Sequence, residues 1–184
     1  MTIMATAIPD VKLIVPEKHA DHRGFVSETY SRERWAGEGV HLEIVQENHT
    51  LSPTRGTIRG LHYQIAPAAQ AKVVRVVRGA IYDVAVDLRR RSPTFGRWVG
   101  AILSAAEWNQ VLVPIGFAHG FCTLEPNTEV VYKLTSHWSP THERGIRWND
   151  PALAIDWPEP AADPVLSDRD RQWPLLADQP DLFE

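Results

Sequence analysis

The sequence has one cysteine, Cys122, among 184 residues, so no disulfide bond can form within the chain. A fold without a disulfide framework is typical of proteins from reducing compartments. Cys122 lies in the apolar run Gly120-Phe121-Cys122-Thr123-Leu124. This setting favours a small buried side chain over a reactive thiol.

Long apolar runs are also lacking. No window approaches the roughly 18 apolar residues of a membrane span, and residues 1–10 contain no basic region followed by an apolar stretch of secretory length. We therefore expect a soluble cytoplasmic protein with no membrane partner.

An excess of positive charge is lacking as well. Lys and Arg number 19 against 23 Asp and Glu, for a net charge of −4, and no basic run indicates a nucleic-acid surface. Any anionic ligand must be held by a few placed cations. The chain has no Gly-x-Gly-x-x-Gly loop, no phosphate-binding Lys motif and no Gly-x-Ser-x-Gly elbow. These absences argue against dinucleotide cofactors and against serine-type nucleophilic catalysis.

What is present is a period-2 alternation of apolar and polar residues over short runs, with few helix signals. About nine or ten strands without βαβ alternation predict an all-β sandwich or barrel. The predicted strands are 11–15, 25–30, 42–50, 72–78, 81–88, 98–103, 110–113, 117–124, 129–135 and 146–148. Short helices are predicted at 31–35, 104–107 and from Ser167. The length suits one domain, with a proline-rich tail from about residue 150 wrapped on it.

A metal site is one interpretation of the histidines in a β-barrel. Gln64, however, stands two residues after His62, where a second strand ligand on the same face would be expected, and His119 stands alone. A tight divalent site usually needs three good ligands. The sequence therefore predicts no metal.

Acid–base chemistry is the remaining interpretation. His62, Lys72 and Tyr132 could converge inside a barrel from three separate strands. Histidine, with an ordinary pKa of about 6.5, suits proton abstraction, lysine suits stabilisation of an oxyanion, and tyrosine suits return of a proton. Each also has a structural interpretation, as a core imidazole, a snorkelling cation and a core filler. Parity alone does not decide between them.

The chain carries a series of short motifs in a fixed order. They are Asp21-x-Arg23-Gly24-Phe25, Asn48-His49, Arg59-Gly60-Leu61-His62-Tyr63-Gln64, Ala69-Gln70-x-Lys72-x-Val74-Arg75, Asp83-Val84-Ala85-Val86-Asp87-x-Arg89, Ser92-Pro93-Thr94-Phe95-Gly96, Pro114-x-Gly116-Phe117-Ala118-His119-Gly120-Phe121, Tyr132-Lys133, Trp148-Asn149-Asp150 and Leu166-Ser167-x-x-Asp170. Over nearly the whole chain this pattern resembles the dTDP-4-dehydrorhamnose 3,5-epimerases, which are sugar-nucleotide epimerases of the cupin jelly-roll class.

The resemblance implies a role for each candidate residue. His62 resembles the general base, Asp170 the carboxylate that orients it, Tyr132 the acid on the opposite sugar face, and Lys72 the residue that steadies the C4 enolate. The positions that resemble substrate contacts are Arg23, Phe25, Glu28, Gln46, Asn48, Arg59, His119 and Trp138. Of these, the two arginines suit a diphosphate.

The resemblance also implies a cofactor-free and metal-free homodimer in which the N-terminal part of one subunit helps to complete its neighbour's site. The expected reaction converts dTDP-4-keto-6-deoxy-D-glucose to dTDP-4-keto-L-rhamnose by inversion at C3 and C5. Two positions depart from the family pattern: Arg169 replaces a usual Lys, and Trp138 lies where many members carry Tyr. The alternatives are an epimerase of one centre, a non-catalytic nucleotide-sugar binder and a metal-dependent cupin.

Overall fold

The structure is a computed structural model that describes residues 1–158 and 163–184. Within these ranges thirteen strands, two short α-helices and a 3₁₀ turn form. The strands are β1 (Thr2–Ala5), β2 (Lys12–Val15), β3 (His19–Asp21), β4 (Gly24–Val26), β5 (Gln46–Ser52), β6 (Ile58–Gln64), β7 (Lys72–Arg78), β8 (Ala80–Asp87), β9 (Trp98–Ser104), β10 (Gln110–Val113), β11 (Phe117–Thr123), β12 (Thr128–Leu134) and β13 (Glu143–Gly145). The helices are α1 (Arg32–Gly37) and α2 (Asp168–Gln172), and the 3₁₀ turn is Leu176–Asp178. The predicted all-β class is confirmed.

Two antiparallel sheets make up most of the structure. One has six strands in the order β1-β2-β10-β7-β12-β5, and the other has five in the order β13-β6-β11-β8-β9. The remaining strands, β3 and β4, pair with each other as a separate hairpin. Most neighbours in these orders are not consecutive along the chain, as expected of a sandwich whose strands cross between sheets.

The main hydrophobic core lies between the two sheets. Valines of the six-stranded sheet, such as Val74 and Val130, pack in one cluster with Ile81, Leu103 and Phe121 of the five-stranded sheet. The alternating apolar residues of each strand supply this shared layer, because successive side chains point to opposite faces.

The outer faces are covered by other segments. Trp35 of α1 packs against the outside of the six-stranded sheet, and tail residues including Trp157, Leu176 and Phe183 pack on the outer face of the five-stranded sheet. This agrees with the predicted wrapping of the C-terminal segment; residues 159–162 of that segment lie outside the described residues. Cys122 is fully buried, and burial raises the pKa of its thiol to about 11. The expectation of a small buried side chain is confirmed.

Some predicted elements are wrong in kind or in place. Where a helix was expected at 104–107, Ser104 ends β9 and residues 105–108 form a turn in which Ser104 Oγ accepts from the N–H of Glu107. The strand expected at 146–148 lies at 143–145 instead, and only the first two residues of the strand expected at 25–30 are extended and paired. By contrast, the Ser31 and Ser167 caps start α1 and α2 as predicted.

An irregularity in β6 decides which side chains face the interior. His119 and Phe121 of β11 oppose His62 and Arg59 of β6, so two steps on one strand match three on the other. The extra residue is a β-bulge, which reverses the facing of the residues beyond it. Gly60 in the bulge has φ +125°, and a Cβ there would lie 2.6 Å from Gly120 Cα. The bulge lets Arg59 and His62 face the same side despite their opposite parity.

Candidate active site

A cavity of about 620 Å³ opens at one end of the space between the sheets. It receives side chains from three strands of the six-stranded sheet, from three strands of the five-stranded sheet, and from α2. The lining residues are Gln46, Asn48, Thr50, Arg59, His62, Gln70, Lys72, His119, Phe121, Tyr132, Leu134, Trp138, Glu143, Ser167, Arg169 and Asp170. The four residues predicted to be catalytic therefore lie in one chamber.

His62 and Asp170 form the shortest polar contact in the cavity. His62 Nε2 lies 2.5 Å from Asp170 Oδ1, and the aspartate is 4% exposed. Asp170 is placed by α2, where Ser167 Oγ accepts a hydrogen bond from its backbone N–H. Burial opposes ionisation of Asp170, yet the hydrogen bond and charge of His62 outweigh it and lower the pKa of the carboxyl. A buried carboxylate that stays ionised can orient an imidazole and stabilise its protonated form.

Lys72 brings a positive charge into the cavity from the start of β7. Its Nζ donates a 3.3 Å hydrogen bond to the carbonyl of His62. Burial lowers the pKa of Lys72 to about 8, although the charges of Glu143 and Asp83 partly oppose the shift. The pKa of this group therefore lies close to neutral pH. In its protonated form the ammonium can stabilise a developing oxyanion, and its charge responds to pH.

Tyr132 faces the cavity from the middle of β12. Its register partners are Asn48 on β5 and Val74 on β7, so its backbone is held between two strands. Among the described residues, none makes a hydrogen bond to its hydroxyl. The hydroxyl therefore remains available to a ligand in the chamber.

Five predicted substrate-contacting residues also line the cavity: Gln46, Asn48, Arg59, His119 and Trp138. Gln46 Nε2 donates to Asn48 Oδ1 over 2.9 Å, and Gln46 Oε1 accepts from the backbone N–H of Trp138 over 2.9 Å. Arg59 Nε donates to Ser52 Oγ over 3.2 Å. These bonds fix polar groups around the chamber before any ligand arrives.

His119 is paired with Asp83 on the neighbouring strand β8. His119 Nε2 lies 2.8 Å from Asp83 Oδ2, and both side chains are buried. This second His–Asp pair lies beside His62, because His119 is the register partner of His62. The pairing of His119 was not predicted.

Three predicted substrate residues lie elsewhere in the chain's own fold. Arg23 and Phe25 belong to the exposed β3–β4 hairpin and its turn, where Arg23 binds Asp21 and the Phe25 ring meets Trp108 edge to face. Glu28 pairs with Arg34. None of the three lines the cavity of this chain. Their assignment to a substrate site therefore stays a prediction.

The sequence reasoning missed several lining residues. Thr50 continues the alternation of Gln46 and Asn48 along β5 and could have been found from parity. Glu143 had no such signal, because β13 was not predicted. Its carboxylate accepts hydrogen bonds from Arg169 over 2.6 and 3.1 Å and from Trp138 Nε1 over 3.1 Å.

Gln64, which argued against a metal site, has a structural role. Its amide donates to the carbonyls of Ala68 and His137, and its Oε1 accepts from the N–H of Ser139.

Within residues 1–158 and 163–184, no three His, Cys, Asp or Glu side chains are grouped as metal ligands. Among these residues there is also no helix long and apolar enough to cross a membrane. The cofactor-free expectation stays a prediction.

Comparison with known proteins gives three informative relatives. A curated dTDP-4-dehydrorhamnose 3,5-epimerase from Pseudomonas aeruginosa is 52% identical over 173 residues, which cover 94% of each chain. A crystal structure of such an epimerase from Bacillus anthracis, with TDP and PPi bound, is 50% identical with a TM-score of 0.91, covering 95% of this chain and 98% of that one. The Legionella pneumophila epimerase in complex with dTDP-4-keto-L-rhamnose is 42% identical with a TM-score of 0.90, covering 96% and 93%.

These likenesses confirm the resemblance that the motifs indicated, together with the predicted cupin-like β fold and the isomerase class. The family profile described as dTDP-4-dehydrorhamnose 3,5-epimerase matches residues 5–178, which is nearly the whole chain. The chain belongs to the dTDP-4-dehydrorhamnose 3,5-epimerase family.

Proposed function

We propose that this protein inverts C3 and C5 of dTDP-4-keto-6-deoxy-D-glucose to give dTDP-4-keto-L-rhamnose, on the path to dTDP-rhamnose. The observation that carries the proposal is the 2.5 Å contact of His62 with Asp170 inside a chamber that also holds Tyr132 and Lys72. A base held by a buried carboxylate, with a separate acid and a cation, is what a proton-exchange reaction needs. A site that only bound a nucleotide sugar would not need these groups together.

The chemistry follows from the C4 ketone, which acidifies the protons on C3 and C5. His62 removes one of these protons, and the electron pair of the broken C–H bond forms an enolate whose charge lies on the C4 oxygen. Lys72 stabilises that oxygen, and Asp170 stabilises the imidazolium. Tyr132 then gives its hydroxyl proton to the opposite face of the carbon. The centre is inverted, and exchange of protons with solvent resets both residues.

The diphosphate of the substrate needs positively charged contacts. Arg59 is the cavity arginine of the predicted set and suits the diphosphate. Arg169 also carries positive charge at the cavity, held by Glu143. These residues explain how a chain of net charge −4 could bind a dianion.

We also propose a homodimer in which each site receives Arg23, Phe25 and Glu28 from the partner subunit. The β3–β4 hairpin supports this, because all six residues of its two strands are exposed and, in the described part of the chain, they pair only with each other. Phe25 is 49% and Val26 71% exposed. A two-stranded hairpin has little stability of its own in water, so a second copy that covers its exposed residues is favoured.

Two further expectations join the proposal. We take residues 1–184 as one domain, which the packing of the tail on the five-stranded sheet supports. We also infer that the protein acts in the cytoplasm without a cofactor. The single buried cysteine is consistent with a reducing compartment.

Incubation with dTDP-4-keto-6-deoxy-D-glucose in D₂O tests the reaction and its stereochemistry. Deuterium at both C3 and C5, with inversion at both by NMR couplings, supports the proposal. Exchange and inversion at one centre identify an epimerase of one centre, and no exchange identifies a binding protein.

His62→Ala is expected to abolish exchange while leaving dTDP binding nearly intact, and Asp170→Asn to retain part of the activity. Substantial exchange in His62→Ala contradicts its role as base.

Subunit mixing tests the shared site. Arg23→Ala and His62→Ala chains are each expected to be inactive, but in a mixed dimer one of the two sites would be wild type. Random mixing makes half of the molecules mixed dimers, so about a quarter of wild-type activity should return. If verified subunit exchange restores nothing, Arg23 and His62 belong to the same subunit's site; if Arg23→Ala is active by itself, Arg23 belongs to no site.

A further inference from the structure

One oxygen of Asp170 accepts two hydrogen bonds. The first partner of Oδ1 is His62 Nε2 at 2.5 Å, and the second is the indole N–H of Trp173 at 3.1 Å. Trp173 directly follows the last residue of α2, the helix that carries Asp170. The contact between base and carboxylate is therefore one side of a three-residue arrangement.

The indole of Trp173 has a shaped seat. It lies against Gly145 at the end of β13, where a Cβ would approach ring atoms Cδ2 and Cε2 to 2.4 Å. Gly145 is the register partner of His62, so the ring lies beside the strand that carries His62. The carbonyl of Trp173 also accepts a 3.1 Å hydrogen bond from Arg147 Nε. Both the side chain and the backbone of Trp173 are thus fixed.

The ring also borders the imidazole itself. The centroids of the Trp173 and His62 rings are 6.0 Å apart with planes at 68°, an edge-to-face arrangement. The Arg169 guanidinium also lies 5.5 Å from the Trp173 ring centroid. Trp173 itself is not among the described residues that line the cavity. It is therefore placed to act on the base without touching the substrate.

We propose that Trp173 is a positioning residue for proton abstraction: its indole N–H fixes Asp170 Oδ1 toward His62, and Gly145 provides the space that lets the indole do so. This inference rests on the proposed role of His62 as the base. Two donors on one carboxylate oxygen leave the carboxylate little freedom to turn. A base displaced by a fraction of an ångström loses rate, because proton transfer needs its reacting atoms at hydrogen-bond distance.

Trp173→Phe removes the N–H and keeps an aromatic ring. We expect kcat to fall about tenfold, a part of the roughly 10² to 10⁴ that a positioned base contributes, because the base itself is kept. We expect KM to stay within about twofold, because Trp173 does not contact the ligand chamber. The matched control is Trp98→Phe. Trp98 Nε1 donates 2.9 Å to the buried carbonyl of Leu153, away from the cavity, so this change costs an indole hydrogen bond but should leave kcat unchanged.

Gly145→Ala tests the seat without changing either hydrogen-bonding residue. The added methyl group must displace the indole, so we expect a loss of kcat similar to that of Trp173→Phe. Gly37→Ala is its control, because nothing lies within 4 Å of a Cβ at that position. If both alanine variants keep full kcat, the seat has no part in catalysis.

NMR distinguishes positioning from general stability. The hydrogen-bonded ring N–H proton of His62 should shift in Trp173→Phe and stay in place in Trp98→Phe. When Trp173 is kept and only Asp170→Asn is introduced, one of the seven tryptophan indole N–H signals should shift. This measurement decides even if Trp173→Phe fails to fold. No movement of either signal overturns the proposal, as does an equal loss of kcat in both phenylalanine variants. These signals do not depend on turnover, so a failure of His62 as the base would be seen separately, as activity in His62→Ala.

Discussion

Lys72 Nζ and the carbonyl oxygen of His62 are joined by a 3.3 Å hydrogen bond, so the buried cation is tied to the strand that carries the proposed base. The distance between the two catalytic groups is therefore set by backbone as well as by side-chain rotamers. The partial desolvation of this ammonium group makes its charge costly. Both the reaction and the stability of the protein should reflect this.

The first prediction concerns the alkaline side of the pH–rate profile. Burial lowers the pKa of Lys72 to about 8, so the ammonium that would stabilise the enolate is lost as pH rises through that value. We expect the rate to fall with a midpoint near 8 as pH increases, measured as kcat over pH 6–10. Lys72→Arg should move this fall to higher pH, because arginine stays protonated. An unchanged alkaline limb in Lys72→Arg would assign it to another group.

The second prediction concerns stability. The pKa of Lys72 in the folded protein is below its ordinary value of 10.5, so the unfolded chain binds this proton more tightly. Below pH 8 the charged lysine therefore destabilises the fold, and this penalty decreases as pH rises from about 8 to 10.5. We expect Lys72→Met to lose activity but to raise the free energy of unfolding at pH 7 by about 1–3 kcal/mol.

Lys12→Met is the matched control for that experiment. Lys12 also lies on a strand and donates 3.3 Å to a backbone carbonyl, that of Pro9, but this hydrogen bond is at the surface. Its replacement should change the free energy of unfolding by no more than about 0.5 kcal/mol. Urea denaturation of both variants measures the difference. A destabilised Lys72→Met would mean that the lysine's contacts outweigh its burial cost.

The sequence predicted four of the strands that carry the site, β5, β7, β11 and β12, but β6, which carries His62 and Arg59, was not among the predicted strands. Alternation along β7 and β12 brought Lys72 and Tyr132 to one side, as the structure has them, because regular strands keep a period of two. Asn48 was assigned by resemblance. Arg59 and His62 share a face only through the bulge at Gly60, which alternation cannot reveal. Asp170 was found through resemblance alone, since its contact with His62 spans 108 residues.

The exposed hairpin illustrates another limit. Arg23 lies in a motif that marks it as functional, yet its side chain is 78% exposed in this chain. A sequence motif marks a residue as needed, but it does not show where the fold places that residue. Glu143 was missed for a different reason, because its strand, β13, is only three residues long and lacks an apolar alternation.

The third prediction concerns acid stability. Asp87 is fully buried, and its carboxylate accepts hydrogen bonds from Arg89, Ser92 and Thr94. Burial opposes its ionisation, but these bonds outweigh it and lower the pKa of the carboxyl to about 2. Its stabilising contribution is therefore complete above its ordinary pKa of 3.8 and is lost as pH falls toward 2.

We expect Asp87→Asn to lower the free energy of unfolding at pH 7 by about 2–4 kcal/mol, because Arg89 would keep a charge without its buried partner. Asp10→Asn is the control, since Asp10 binds the same guanidinium at 3.0 Å from a position that is 54% exposed. It should cost less than about 1 kcal/mol. Thermal and urea unfolding measure both. If the two variants lose the same free energy of unfolding, the exposed Asp10 stabilises the ion pair of Arg89 as much as the buried Asp87 does.

The last prediction separates the two halves of the reaction. Tyr132→Phe keeps the aromatic ring on β12, which lies between β5 and β7, but deletes the hydroxyl. His62 should still remove a proton, and the enolate should mostly take it back from the same imidazolium. Inversion should fall by at least about a hundredfold, within the range for a lost general acid, while deuterium still enters from D₂O wherever the imidazolium exchanges before it returns its proton.

The measurement compares deuterium incorporation with net epimerisation in one sample. Tyr63→Phe is a matched control, because Tyr63 is buried on β6 and its hydroxyl donates 2.6 Å to the carbonyl of Asp181, outside the cavity. That variant should lose stability without uncoupling exchange from inversion. If exchange and inversion fall together in Tyr132→Phe, the hydroxyl acts before the enolate forms. If inversion persists, the acid is another group, and the ring of Tyr132 only packs the chamber.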